Sequence, residues 1–250
     1  MTGAAFGLET IPQIQQFASL ADDLNKLAAR AERPPRRSKF AADNDAIRSD
    51  LFPAKRAMTA FVRGNTYHVT AHASAMFLLM SHPLTEAQGY RTPANSLAPH
   101  ERAVIESSAY VVWVTKPQNQ RTRLTRLVRF LAHDMGYTRD LTQPNRDTFE
   151  AFRSTVHAYL NPAGADGALL EELDKPVPSM GVLVREALDV NAQRAWKSLS
   201  NMTHYSPAWE TLMHTGADTK AASTQIGLAT ETLSALVSLH AQLLAGLTTS

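Results

Sequence analysis

The run Arg102-Ala-Val-Ile-Glu-Ser-Ser-Ala-Tyr-Val-Val-Trp-Val114 decides how the chain is read. Arg102 and Glu106 stand four apart, and Tyr110 and Trp113 follow on the same side of a helix. Ala103, Val104, Ile105, Ala109, Val111, Val112 and Val114 cover most of the remaining surface. A helix apolar nearly all round belongs inside a bundle. Its charged pair must then be satisfied internally, because an unpaired buried charge costs several kcal/mol. This helix starts between Ser96 and Pro99 and stops at Lys116-Pro117, where the residue before proline is pushed out of the helical region.

Helical spacing continues on both sides. Upstream, Ile14, Phe17, Leu20, Leu24 and Leu27 share one face of a helix that begins near Ile11-Pro12. It ends before Arg33-Pro34-Pro35-Arg36-Arg37, whose prolines cannot continue it. A second helical region covers about 45–80, interrupted at Pro53 and weakened at Gly64-Asn65. Pro83, Gly89, Pro93 and Pro99 make residues 81–99 a long loop. Downstream, Leu124, Leu127, Val128 and Leu131 define a helix over about 120–135 with Gly136 as its stop. Further helices follow at 146–160, around Leu169–Leu173, from Ser179 to Leu188, and from Asn191 to Thr203. The last can be capped by Asp218 and carries Ile226, Leu233, Leu236, Val237, Leu243, Leu244 and Leu247 on one face. No run alternates at period two. The expectation is an all-α multi-helix bundle over 45–250, with a separate N-terminal helix (1–32) attached through an Arg/Pro linker (33–44).

Composition bounds the function. The 250 residues are 44% hydrophobic and 19% charged, which is globular and not disordered. No cysteine is present, which excludes disulfides, thiolate zinc sites and a cysteine nucleophile. A net charge of +2 does not by itself imply nucleic-acid binding. The N-terminus has neither a basic region nor a long apolar one, and the longest apolar runs are far short of the roughly 20 residues of a membrane span. A cytoplasmic protein without membrane contact is expected.

Three polar constellations stand out besides the Arg102/Glu106 pair. Ser200 and His204 are again four apart, on a late helix with Trp196 and Lys197, and a helix carboxyl end near His204 favours imidazolium by roughly 0.3–1 kcal/mol. Arg102, Glu106, Ser200 and His204 are therefore expected to meet in one largely buried cluster and are the candidate catalytic residues. Arg121, Arg123, Arg126 and Arg129 avoid the leucine stripe of their helix and form a candidate phosphate-contacting surface. His68 and His72 also have a spacing that metal sites use, but Val69 stands where a metalloprotease has glutamate and no third ligand lies nearby in sequence. They read as a polar pair at a helix surface or subunit contact. No structural metal and no cofactor are expected.

The succession of the Arg102–Trp113 helix, an arginine-rich helix, Pro178-Ser-Met180 and a late Trp196…Leu199-Ser200…His204 resembles a family of bacterial all-helical proteins of unknown activity. Its members pair an R-x-x-x-E helix with an S-x-x-x-H helix. The resemblance covers about residues 60–210, with Tyr205 standing where a glycine is usual. In outline that family is similar to HEPN-type domains, some of which are metal-independent ribonucleases carrying R-x(4–6)-H. Two such spacings occur here, Arg63…His68 and Arg126…His133, and composition alone gives about two by chance. The first functional expectation is an interaction or structural module, homodimeric or bound to another protein. The alternative is a HEPN-like ribonuclease with RNA as partner, in which His204 would transfer the proton and Arg102 would stabilise developing phosphate charge.

Overall fold

The computed structural model describes residues 11–46, 57–81, 94–137, 143–161, 168–203 and 218–246. These residues form ten helices and no strand: α1 (Ile11–Ala31), α2 (Lys39–Ala46), α3 (Ala57–Ser81), α4 (Ala94–Thr115), α5 (Gln120–Tyr137), α6 (Gln143–Leu160), α7 (Ala168–Asp174), α8 (Met180–Ala187), α9 (Val190–Thr203) and α10 (Asp218–Leu244). The protein is all-α. None of the described helices is long and apolar enough to cross a membrane.

α4 is the axis of the molecule. It packs against α3, α10, α9, α8 and α5, so neighbours cover it on nearly every side. Val104, Ile105, Ala109, Val111, Val112, Trp113 and Val114 are all buried, as a helix apolar all round requires. α5 lies on α4 and in turn carries α6 and α7. Phe130 of α5 makes edge-on ring contacts of 4.8 Å with both Phe61 of α3 and Tyr110 of α4, joining three helices at one point.

The N-terminal helix does not stand apart. α1 packs on α3 and α10, and its Phe17 and Leu24 are fully buried. Each buried side chain of that size is worth about 1.5–3 kcal/mol, enough to hold a 21-residue amphipathic helix on the bundle. The Arg/Pro segment is correspondingly short. Ser38 ends it by capping α2, with its hydroxyl accepting the Ala41 amide at 3.2 Å. The glycine after α10 makes the same point from the other end. Gly246 adopts φ +67, and a Cβ there would lie 3.4 Å from the Arg37 carbonyl oxygen.

α2 acts as a fastener within what reads in sequence as a linker. Asn44 accepts the Thr59 amide at 3.2 Å and donates to the Thr59 hydroxyl at 2.6 Å, satisfying the first turn of α3. Asp43 receives a two-pronged bond from Arg123 of α5, with Nε and Nη2 each at 2.7 Å. The second terminal nitrogen of Arg123 donates to the Pro117 and Gln118 carbonyls, which pins the α4–α5 turn. Both side chains are essentially inaccessible, at 4% and 1% exposure.

Several boundaries differ from the sequence expectation, α6 among them, which begins at Gln143 and includes Pro144. α3 runs through Gly64 unbroken, because a single helical glycine costs only about 1 kcal/mol against the packing of the whole helix. α4 begins at Ala94 and carries Pro99 in its second turn, and α5 continues past Gly136 to Tyr137. The segment around Pro53 lies outside the described residues.

Removing one member of a buried ion pair strands the other charge. Asp43→Ala is expected to cost about 3–5 kcal/mol in urea unfolding, whereas the double variant Asp43→Ala/Arg123→Met recovers only part of that loss, because the Pro117 and Gln118 carbonyls then lose their Arg123 donor.

Candidate functional site

The α4–α9 contact holds the polar residues of both helices. Arg102 Nε donates to Glu106 Oε1 at 2.7 Å, and an Arg102 terminal nitrogen donates to Ser200 Oγ at 3.1 Å. The Trp196 indole N–H donates to the same Glu106 oxygen at 2.8 Å, and the Arg102 guanidinium lies 5.4 Å from the centre of the Trp196 ring. Three of the four candidate catalytic residues therefore meet, and Trp196 joins them. The cluster is half-buried, not largely buried, with Arg102 at 22% and Glu106 at 28% exposure. His204 lies outside the described residues.

The arginine surface is not what the helix holds. Arg123 is in the core with Asp43. The Arg126 and Arg129 guanidiniums sit 5.2 and 5.4 Å from the Trp113 ring centre. Arg126 donates to the Trp113 carbonyl at 2.6 Å, and Arg129 to the Lys175 and Pro176 carbonyls at 2.9 and 2.5 Å. Glu172 lies 3.6 Å from Arg129. Only Arg121 is well exposed. The expected phosphate-contacting face is replaced by three arginines that tie backbone turns together. A helical wheel cannot show this, since the carbonyls and the Trp113 ring come from other elements. Arg126 and Arg129 border separate clefts of about 330 and 390 Å³, and Arg102 borders neither.

A polar chain that the sequence reading missed runs between α3 and α4. His68 Nδ1 is 2.9 Å from Ser107 Oγ. His68 Nε2 is 3.1 Å from His72 Nε2, and His72 Nδ1 is 2.9 Å from His100 Nδ1. Burial first, and then the neighbouring His68 and His100, hold His72 below the usual imidazole range. His72 offers a different ring nitrogen to each neighbour, so His68 and His100 cannot share one ion with it. Among the described residues no group of three or more His, Asp or Glu side chains is arranged to hold a metal. The spacing of 68 and 72 was visible beforehand; their meeting with His100 and Ser107 depends on how α3 packs on α4.

Two further ionisable groups are buried. His240 on α10 has one ring nitrogen 2.9 Å from the Leu236 carbonyl and the other 3.0 Å from Thr66 Oγ1. The carbonyl can only accept, so Nδ1 carries the hydrogen and the Thr66 hydroxyl donates to Nε2. Burial pushes its pKa down, outweighing the bond to Leu236, which raises it. Glu101 on α4 is fully buried, with both carboxylate oxygens lacking a hydrogen-bond partner. Desolvation raises its pKa well above the usual carboxylate range.

Compared with known proteins, the chain matches no family model, no curated protein and no solved structure.

Two outcomes test this account. The Arg102→Ala, Glu106→Ala cycle should give a coupling of about 0.5–1 kcal/mol, the size of a half-exposed pair, in denaturant melts of the four species. Glu101 should make the fold more sensitive to alkali. Its raised pKa contributes stability below the unfolded carboxyl's range and loses it as pH rises, by about 1.4 kcal/mol per unit until its own pKa is passed. Glu101→Gln should therefore gain on wild type as the pH of the urea melt is raised from 4 to 7. His240 and His72 act in the opposite sense, losing stability as pH falls below the usual imidazole range.

Proposed function

We propose that the protein is an interaction module that pairs with a second copy of itself through the outer face of α3. The observation that carries this reading is an exposed helix face with no charge. Residues 64–81 contain no Asp, Glu, Lys or Arg. Tyr67 is 74% exposed, Leu78 66% and Phe77 38%. Solvated helix faces ordinarily carry charges.

The pattern on this face is symmetric. Tyr67, Ala71, Ser74 and Leu78 fall on one exposed seam at the four-three-four spacing of helix pairs. A two-fold axis midway between Ala71 and Ser74 sets Tyr67 against Leu78 of an antiparallel copy, and Ala71 against Ser74. Large side chains then flank a centre of small ones, which lets the two helices approach closely. Charge supports the same occupant. At the centre of the seam Ala71 and Ser74 lie near their own copies as well as each other, so a charge there would repel itself; a different partner would tolerate or exploit charges. One helix face is smaller than the roughly 800 Å² per partner of a standard interface, so the pairing is reversible.

The polar cluster between α4 and α9 supports a structural role for its members. A ribonuclease would need Arg102 turned toward substrate, and here Arg102 is bonded to Glu106 and Ser200. The arginines of α5 are engaged with Asp43, Trp113 and backbone carbonyls.

Sedimentation equilibrium tests the pairing. Wild type should associate as concentration rises, and Tyr67→Lys or Leu78→Glu alone should give monomers with unchanged helix content. The two substitutions together should restore the dimer, because they face each other across the axis with opposite charge. A wild type that stays monomeric at its solubility limit, or a double variant that stays monomeric, overturns the reading. Cleavage of RNA by wild type and not by His204→Ala would establish the ribonuclease instead.

A further inference from the structure

We infer that His68 and His72 form a two-histidine site for a late first-row divalent cation such as Zn²⁺, with Ser107 and His100 as the groups that orient the two rings. The two Nε2 atoms converge to 3.1 Å across one turn of α3. Histidine–zinc bonds are about 2.0–2.1 Å long, so an ion equidistant from both nitrogens would subtend an angle of about 100°, within tetrahedral or octahedral ranges. An i,i+4 pair of histidines is held on one face by the helix itself, which removes most of the ordering cost.

What separates this pair from two surface histidines is the support behind each ring. A metal-bound imidazole donates its other N–H to a nearby acceptor, which fixes both its tautomer and its orientation. Both acceptors are in place. His68 Nδ1 faces Ser107 Oγ at 2.9 Å, and Ser107 is a buried residue of α4. His72 Nδ1 faces His100 Nδ1 at 2.9 Å. With hydrogen on both Nδ1 atoms, His68 donates to Ser107 and His72 donates to His100. Both Nε2 lone pairs are then free, on nitrogens 3.1 Å apart. In that tautomer the Nε2 atoms repel each other at 3.1 Å, and a cation between them removes the repulsion.

The donor set also selects the ion. Imidazole nitrogen suits Zn²⁺, Ni²⁺ and Cu²⁺ and disfavours Mg²⁺ and Ca²⁺, which take oxygen ligands. Two protein ligands leave the remaining positions to water or to a small molecule, so the ion is exchangeable and not a structural one. His68 is exposed and His72 and His100 are half-buried, so the site is reached from solvent without any opening of the bundle.

Calorimetric titration of the untagged chain with Zn²⁺ tests the inference. One ion per chain should bind in the micromolar range, and Mg²⁺ should give no signal. His68→Ala and His72→Ala should each abolish the binding. Ser107→Ala and His100→Ala, which remove no ligand, should weaken it by about 10–100-fold, the effect of losing an orienting partner. His157→Ala, on α6, should leave it unchanged. Far-ultraviolet circular dichroism of each variant checks that the helices are intact. No saturable uptake at millimolar Zn²⁺, or uptake unaltered by His72→Ala, overturns the assignment. If Ser107→Ala and His100→Ala both bind as tightly as wild type, the orienting role is refuted and an unsupported surface pair is left.

Discussion

α4 is enclosed by five other helices, and its polar side chains answer to that constraint. A polar atom removed from water must find a partner or pay for its desolvation. Ser108 and Thr115 turn back to the Val104 and Val111 carbonyls one turn earlier. Ser107 meets His68 on α3, and Arg102 and Glu106 reach Ser200 and Trp196 on α9. The polar positions of one helix thereby select which neighbours it can accept and in what register. Glu101 is the exception, buried without a partner, and burial keeps its carboxyl toward the neutral form.

The same logic governs the arginines. Of the four on α5, Arg123 compensates a buried carboxylate, and Arg126 and Arg129 bind backbone carbonyls while lying against Trp113. Guanidinium suits this work because its donors are fixed in a plane, can satisfy several acceptors at once, and stack on aromatic rings. The turns at Pro117 and Pro176 have no regular helix to absorb their carbonyls. The arginines of α5 reach four such carbonyls, at Pro117, Gln118, Lys175 and Pro176. A basic helix on a wheel diagram is here the internal strapping of a bundle.

α3 divides its surface three ways. Met58, Val62, Val69, Ala73 and Met76 are buried, as bundle packing demands. One edge carries the histidines that face α4, and the outer side carries Tyr67, Ala71, Ser74 and Leu78. Charge is absent from 64 to 81, so the chemistry of this helix rests on imidazole and apolar contact.

The fold class was legible in the amino-acid order because helical periodicity is local. Leucine and valine spacing marks α1, α5 and α10, and the enclosed character of α4 follows from thirteen consecutive residues. The pairing of Arg102 with Glu106 is equally local, one turn along one helix. Other features depended on which helix lies beside which. That α1 and α2 belong to the bundle follows from Phe17, Leu24 and Asp43 finding partners far along the chain, and proline and arginine composition carries no trace of those partners. The meeting of His68, His72, His100 and Ser107 requires α3 and α4 to be antiparallel and in one particular register. Spacing along a chain sets the face on which a side chain lies; only the packing of helices decides what that face meets.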